Sequence, residues 1–165
     1  MMRRMKKITE ELRYDGASLQ QVHDMLADPA FREEVCDRQH VVRRTVTIDT
    51  DGAPGMTVTV DQVQAAQGIP GFAKKFVGDE IHIVQHEDWT RAEKGDLRVE
   101  IPGKPGEMVG TIHLTEDPEG TTETVNLDVK VNIPLVGGKI EGLVADMLGK
   151  ALRTEHKVGQ EWLAR

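Results

Sequence analysis

The stretch TVNLDVKVNIPLVGGKIEGLVADMLGKAL, residues 124–152, decides the fold. Over 124–133, Val125, Leu127, Val129, Val131 and Ile133 alternate with Thr124, Asn126, Asp128, Lys130 and Asn132, the period of two that marks a half-buried antiparallel strand. Pro134 and the Gly137-Gly138 pair break that strand. Beyond them Ile140, Leu143, Val144, Met147, Leu148, Ala151, Leu152 and Trp162 recur at helical spacing, so one long helix carries a wide apolar stripe that has to be laid on something. A curved sheet wrapped round the stripe is the natural receiver.

Working outward, period-two patterns predict strands over 7–14, 42–48, 56–64, 80–89, 97–101 and 108–114. Turn-forming clusters join them, among them Asp51-Gly52-Ala53-Pro54-Gly55, Pro102-Gly103-Lys104-Pro105-Gly106 and Asp117-Pro118-Glu119-Gly120. Between the first two strands lie two short helices. Ser18 and Gln21 make a capping box ahead of Leu19, Val22 and Leu26, and Asp28 caps the second helix with Pro29 at its first position. The order strand, two short helices, six strands, long helix predicts an α+β fold. Its seven-stranded antiparallel sheet cannot stay flat and curls round the C-terminal helix.

The 165 residues fit one domain over 1–165, with residues 1–5 as a flexible basic tail, and such a chain buries about 70% of its unfolded surface without a disulfide or metal. The basic start is followed by no apolar run, so it does not read as a signal peptide, and no later stretch reads as a membrane span. The single Cys36 excludes an intrachain disulfide and suits a reducing cytoplasm. A formal charge of −7 disfavours nucleic acid as a partner.

Leu12-Arg13-Tyr14-Asp15, Ile69-Pro70-Gly71-Phe72, Phe76-Val77-Gly78, Trp89 and the run from Ile133 to Glu141 resemble a bacterial domain-of-unknown-function family placed in the START-like superfamily. The element order likewise looks like the helix-grip fold of birch-pollen allergens, lipid-transfer domains and polyketide cyclases. The resemblance spans nearly the whole chain. It implies a cavity between sheet and helix that takes an apolar or amphipathic molecule, and it brings no catalytic residue to carry over.

The residues themselves argue against several chemistries. Ser18 is the only serine and its place is explained by capping, and Cys36 sits beside Asp37 and Arg38 with no histidine at a telling spacing, so it reads as a structural thiol. Gly137-Gly138-Lys139 lacks the leading glycine and the following Ser or Thr of a phosphate-binding loop and reads as a tight turn. His82 and His86 lie roughly 13 Å apart at about 3.3 Å per residue, too far for one ion. His82 and His113 both alternate against the apolar faces of their strands. The sequence therefore predicts no metal and no cofactor.

Polar residues on inward faces are more informative. Glu10 lies between Ile8 and Leu12, and Arg44 between Val42 and Val46, so regular strands carry both charges toward the interior, where each needs a partner or water. With the superfamily's first and second strands taken as neighbours, the two are expected to pair. Gln62 and Gln64 continue the inward face of Met56, Val58 and Val60, and Gln85 and Glu87 that of Ile81 and Ile83. The alternative is that bulges or strand ends turn these residues to solvent. Apolar walls with a few polar fixtures suit a small-molecule site. The expected lining is Val42, Val58, Val60, Ile83, Val99, Ile112, Val129 and Val131 on the sheet, with Leu143, Val144, Met147 and Ala151 on the helix.

Over 68–78, Ile69, Phe72, Ala73, Phe76 and Val77 form a short helical stripe between glycines, with Lys74 and Lys75 opposite. It reads as an edge seal or as a hinged lid, with Ile69, Phe72 and Phe76 over the cavity and the two lysines able to touch a membrane transiently. On the long helix Gly138, Gly142, Ala145 and Gly149 form a stripe of small residues, which close packing or room for a ligand would compensate. Three functions remain open: a module that binds or carries a hydrophobic or amphipathic small molecule, such as a lipid; a cyclase- or hydratase-type enzyme with Glu10 as general base and Arg44 orienting an anionic group; and an interaction protein whose core is filled.

Overall fold

The computed structural model describes residues 6–50 and 55–165; the basic tail at 1–5 and most of the turn at 51–55 lie outside the described residues. The chain order is β1 (Lys6–Asp15), α1 (Leu19–Leu26), α2 (Pro29–Arg38), β2 (Arg43–Asp49), β3 (Met56–Ala65), α3 (Gly71–Val77), β4 (Glu80–Arg91), β5 (Lys94–Glu100), β6 (Glu107–Asp117), β7 (Gly120–Lys130) and α4 (Gly137–Leu163). The strands form one antiparallel sheet in the order β1-β7-β6-β5-β4-β3-β2. From β2 to β7 every strand pairs with the next, and β1 adds to the free edge of β7. The first two strands therefore occupy opposite edges, bridged by α1 and α2, and are not the neighbours expected from the sequence.

Local chemistry fixes the short helices. Ser18 Oγ accepts from the Gln21 N–H at 3.1 Å while Gln21 returns a bond to the Ser18 N–H at 2.8 Å, and Asp28 accepts from the Ala30 N–H with Pro29 in the first turn. The last strand ends earlier than its alternation suggests. Among the described residues its partners run out: β1 pairs from Lys6 opposite Val129, and β6 from Glu107 opposite Lys130, and no described ladder continues beyond residue 130. Instead the Val131 N–H donates to Glu141 Oε2 at 2.7 Å, which ties the end of the sheet to the first turns of α4.

α4 lies across the concave face and packs on β1, β7, α1 and α2. The core between them gathers Leu12, Met25, Phe31, Trp89, Val125 and Val158. Close approach is bought by missing side chains: a Cβ on Gly159 would stand 2.7 Å from the Tyr14 ring, and one on Gly95 2.7 Å from the Trp89 indole. The Arg13 in the same motif turns outward and grips Asp117 with two bonds of 2.8 and 2.9 Å, which closes the rim where β1 meets the β6–β7 hairpin. Among the described residues no helix is long and apolar enough to cross a membrane.

Candidate functional site: a cavity under the long helix

In the N-terminal half of α4 only the edge that carries Glu141, Ala145 and Gly149 is buried, and the face beside it is held away from the strands. A cavity of about 620 Å³ lies between it and the strands, with Ile83, Val99, Met108 and Val131 on the sheet side and Leu143, Val144, Met147 and Ala151 on the helix side. These helix residues are only half-buried, because they face the hollow and not a packed neighbour. The other expected wall residues fall elsewhere. Val58, Val60, Ile112 and Val129 are buried in the core beside the cavity and do not line it, and Val42 is 52% exposed. They alternate inward as their strands require, but the space over them is filled by α1, α2 and the C-terminal half of α4.

The polar fixtures on the sheet side are glutamine amides. Gln62, Gln64 and Gln85 line the cavity together with Gln39 and Gln67. Gln64 Nε2 donates to Gln39 Oε1 and to Gln62 Oε1, both at 3.2 Å, and Gln85 Nε2 donates to Glu87 Oε2 at 2.5 Å. The ionisable lining residues Lys104, Asp146, Lys150 and Arg153 are solvent-exposed and form a rim.

Glu10 and Arg44 do not meet. Glu10 Oε1 accepts from Arg153 Nη1 at 3.0 Å, whereas Arg44 donates to Asp37 at 2.6 and 3.1 Å and to Glu33 at 2.5 Å. Each inward charge is neutralised by the helix that covers its own edge of the sheet, α4 for β1 and α2 for β2, and neither lines the cavity. The general-base pair expected from the sequence is not assembled.

A different charge cluster is buried where α4 closes on the sheet. Arg32 of α2 forms two bonds to Glu87 of β4, at 2.7 and 2.8 Å, and lies 3.8 Å from Glu155 of α4; the Trp89 indole N–H adds a bond of 2.8 Å to Glu87. Burial pushes the Glu87 carboxyl up, but the Arg32 charge and the bonds from Arg32, Trp89 and Gln85 outweigh it and hold the group below the usual carboxylate range. Glu123 of β7 has no such neutraliser: burial, then the Glu155 charge, drives it well above its ordinary value. Glu155 is raised by burial to about 7 against the pull of Arg32. Glu123 Oε1, Glu155 Oε2 and the Tyr14 hydroxyl make no hydrogen bond. Reading by sequence missed Arg32, Glu123 and Glu155, although each carried a signal. Arg32 shares a face with Val35 and Cys36, Glu155 with Ala151 and Leu152, and Glu123 lies one step before the alternation that begins at Thr124. Cys36 is buried, and burial pushes its thiol up to about 11.

The mouth is bordered by α3, flanked by Gly68 and Gly78 at φ +73° and +76°. Ile69, Ala73, Phe76 and Val77 line the cavity. Phe72 does not cover it: it lies at the edge of the inward arc, 37% exposed, with Lys139 Nζ of α4 5.9 Å from its ring centre. Lys74 and Lys75 face solvent. Of the histidines, His82 Nε2 lies 2.7 Å from Asp61 across the β3–β4 pair, and among the described residues no group of three metal-ligating side chains assembles.

The family model described as "Protein of unknown function (DUF2505)" matches residues 9–163. The uncharacterized protein Rv0481c of Mycobacterium tuberculosis is 23% identical over 161 residues, which cover 91% of this chain and 92% of the relative. Among solved structures, TTHA0849 from Thermus thermophilus superposes with a TM-score of 0.65 at 16% identity, covering 94% of this chain and 95% of the other. The Zhui aromatase/cyclase from Streptomyces superposes with a TM-score of 0.62 at 13% identity, covering 98% and 94%. At these identities the likeness establishes the helix-grip fold and nothing about chemistry.

Proposed function

We propose that this chain, which belongs to the DUF2505 family and is built on the helix-grip fold, binds and carries a hydrophobic or amphipathic small molecule in the cavity between its sheet and α4. The observation that carries this reading is the cavity itself: about 620 Å³, walled by aliphatic side chains from both layers and furnished with a few neutral polar groups. That volume lies in the range of small-molecule sites. It does not suit an interaction protein with a filled core. An enzyme built on Glu10 and Arg44 is not supported either, since those residues are committed to partners at opposite edges. The reading places α3 as the gate, with Phe76 and Ile69 inside and Lys74 and Lys75 outside as a transient contact for an anionic membrane surface, in a cytoplasmic protein.

The test uses N-phenyl-1-naphthylamine, a neutral probe that fluoresces in apolar surroundings. It is expected to bind the native chain stoichiometrically, to lose binding in the folded plug variant Leu143→Trp with Met147→Trp, and to leave several-fold faster in Phe76→Ala. A probe that binds the plug variant as well as the native chain sinks the cavity reading. Unchanged release from Phe76→Ala reduces α3 to an edge seal.

A further inference from the structure

Two walls of the cavity are apolar, and the third presents neutral amides, the one ionised group that touches them, Glu87, lying behind the wall and outside the lining. Gln62 and Gln85 stand on adjacent paired strands: Gln62 is opposite Ile83, two residues from Gln85, so the two are diagonal neighbours on the cavity face of the sheet. Their bonds fix which atoms each presents. Glu87 is held ionised by Arg32 and accepts only, so Gln85 must turn its Nε2 toward that carboxylate and its Oε1 away from it. Gln64 spends Nε2 on the carbonyls of Gln39 and Gln62, which leaves Gln62 an uncommitted N–H₂. An amide that donates to a charged acceptor becomes a better acceptor at its own oxygen. The wall therefore offers a donor at Gln62 beside a strengthened acceptor at Gln85.

The charge behind that wall sets the sign. Glu87 lies directly behind Gln85, with the carboxyls of Glu155 and Glu123 beyond it and, among the described residues, Arg32 alone to oppose them. An anion brought to Gln85 would lose its hydration beside the ionised Glu87, whereas the exposed cations of the lining, Lys104, Lys150 and Arg153, are on the rim. We propose that the ligand of this cavity is an apolar molecule whose buried end carries a neutral oxygen function that both donates and accepts, an alcohol in the simplest case, recognised by Gln85 Oε1 and the Gln62 amide. This rests on the reading of the cavity as a binding site. A fatty acid would then enter only with its carboxylate left at the rim, beside Lys104 and Lys150.

The matched series 1-decanol, decanoate and decylammonium, each displacing N-phenyl-1-naphthylamine at pH 8, tests it. The alcohol is expected to bind about tenfold tighter than the carboxylate, the gain of roughly one hydrogen bond without the cost of a buried charge. Gln62→Leu and Gln85→Leu should each abolish that preference, read as the ratio of alcohol to carboxylate affinity within each variant. Gln62→Leu leaves the Arg32–Glu87 pair untouched, so it decides the matter if Gln85→Leu does not fold. Equal affinities of alcohol and carboxylate, a tighter ammonium, or a preference that survives in folded Gln62→Leu overturns the proposal with the binding reading intact. Failure of the native chain to bind N-phenyl-1-naphthylamine overturns both.

Discussion

Between residues 155 and 163, α4 lies hard against β1, α1 and α2; between 140 and 151 the same helix buries only the Glu141, Ala145 and Gly149 edge, and its Leu143, Val144, Met147 and Ala151 face stands off the sheet and leaves a cavity of about 620 Å³. The closed end is filled by Tyr14, Phe31, Trp89 and Val158 and holds the polar cluster of Arg32, Glu87, Glu123 and Glu155. The open end takes its polarity from glutamines, and its buried carboxylate, Glu141, is turned to the Val131 N–H at the end of the sheet and does not line the cavity. The contrast follows from what burial costs. A charge taken from water needs a partner in fixed geometry, and rigid partners exist only where helix and sheet are in contact. Neutral amides can face a hollow because they carry no charge and bond partly to one another, as Gln64 does to Gln39 and Gln62. One half of the fold fixes the helix, and the other half is free to exchange its contents.

The largest expected effect breaks the closed end. Arg32→Met removes the only cation among the described residues that faces Glu87, Glu123 and Glu155 and leaves Glu87 ionised and buried, which should cost about 3–5 kcal/mol in urea unfolding. Gln62→Leu at the open end, where an amide gives way to an apolar side chain against apolar walls, should cost less than about 1 kcal/mol. Comparable losses from the two would mean that both ends are packed alike and would remove the distinction.

A second effect, of about 2 kcal/mol, comes with pH. Glu155 titrates near 7 in the folded chain, above the ordinary glutamate value of 4.5, and Glu123 is raised further. The folded state therefore holds more protons than the unfolded state above pH 4.5, and stability from these groups is present in acid and lost as pH rises through about 7. Opposing carboxylates act lower: Asp117, held down to about 2 by Arg13, and the lowered Glu87 lose their contribution only as pH falls below about 4, while His23, lowered by burial, works against the two buried glutamates only around its ordinary 6.5. Between pH 5 and 8 the native chain should accordingly lose stability, and Glu155→Gln should flatten that slope, with equal stabilities near pH 5 and the variant ahead at pH 8. A native chain that gains stability from pH 5 to 8 would show that the buried acids are solvated.

The same division explains what the sequence disclosed. Alternation and helical spacing reported the fold, since Val125 to Val131 and Leu143 to Ala151 need only a near side and a far side, and capping at Ser18 and Asp28 is a local matter. Glu10 and Arg44 were legible as inward charges, but their partners were not. Arg153 lies 143 positions from Glu10, and the edge placement of β1 and β2 is a property of sheet order that neither strand encodes. Val58, Val60 and Val129 share an inward face with the glutamines and with Val131, yet whether an inward residue meets packed atoms or a cavity depends on where α4 stands off the sheet. Arg32, Glu123 and Glu155 are charges at apolar positions, a pattern that in one sequence also describes a helix or strand edge turned to solvent.

The smallest effect compares one substitution at two places on α4. At Gly159 an added Cβ would stand 2.7 to 3.1 Å from the Tyr14 ring, which is itself held by the core and cannot swing away, so Gly159→Ala should cost about 1–3 kcal/mol through overpacking. At Gly142 the same Cβ meets nothing within 4 Å, and there only the backbone matters. Alanine has the better helix propensity by about 1 kcal/mol, so Gly142→Ala should raise stability by up to that amount. Thermal melts of the two variants at one pH would then differ in sign. The sign carries more weight than the size, because both changes add one methyl to one helix, and only contact at one end with space at the other makes them diverge. Losses at both positions would place the N-terminal half of α4 against the sheet, and the cavity between them would have to be closed in solution.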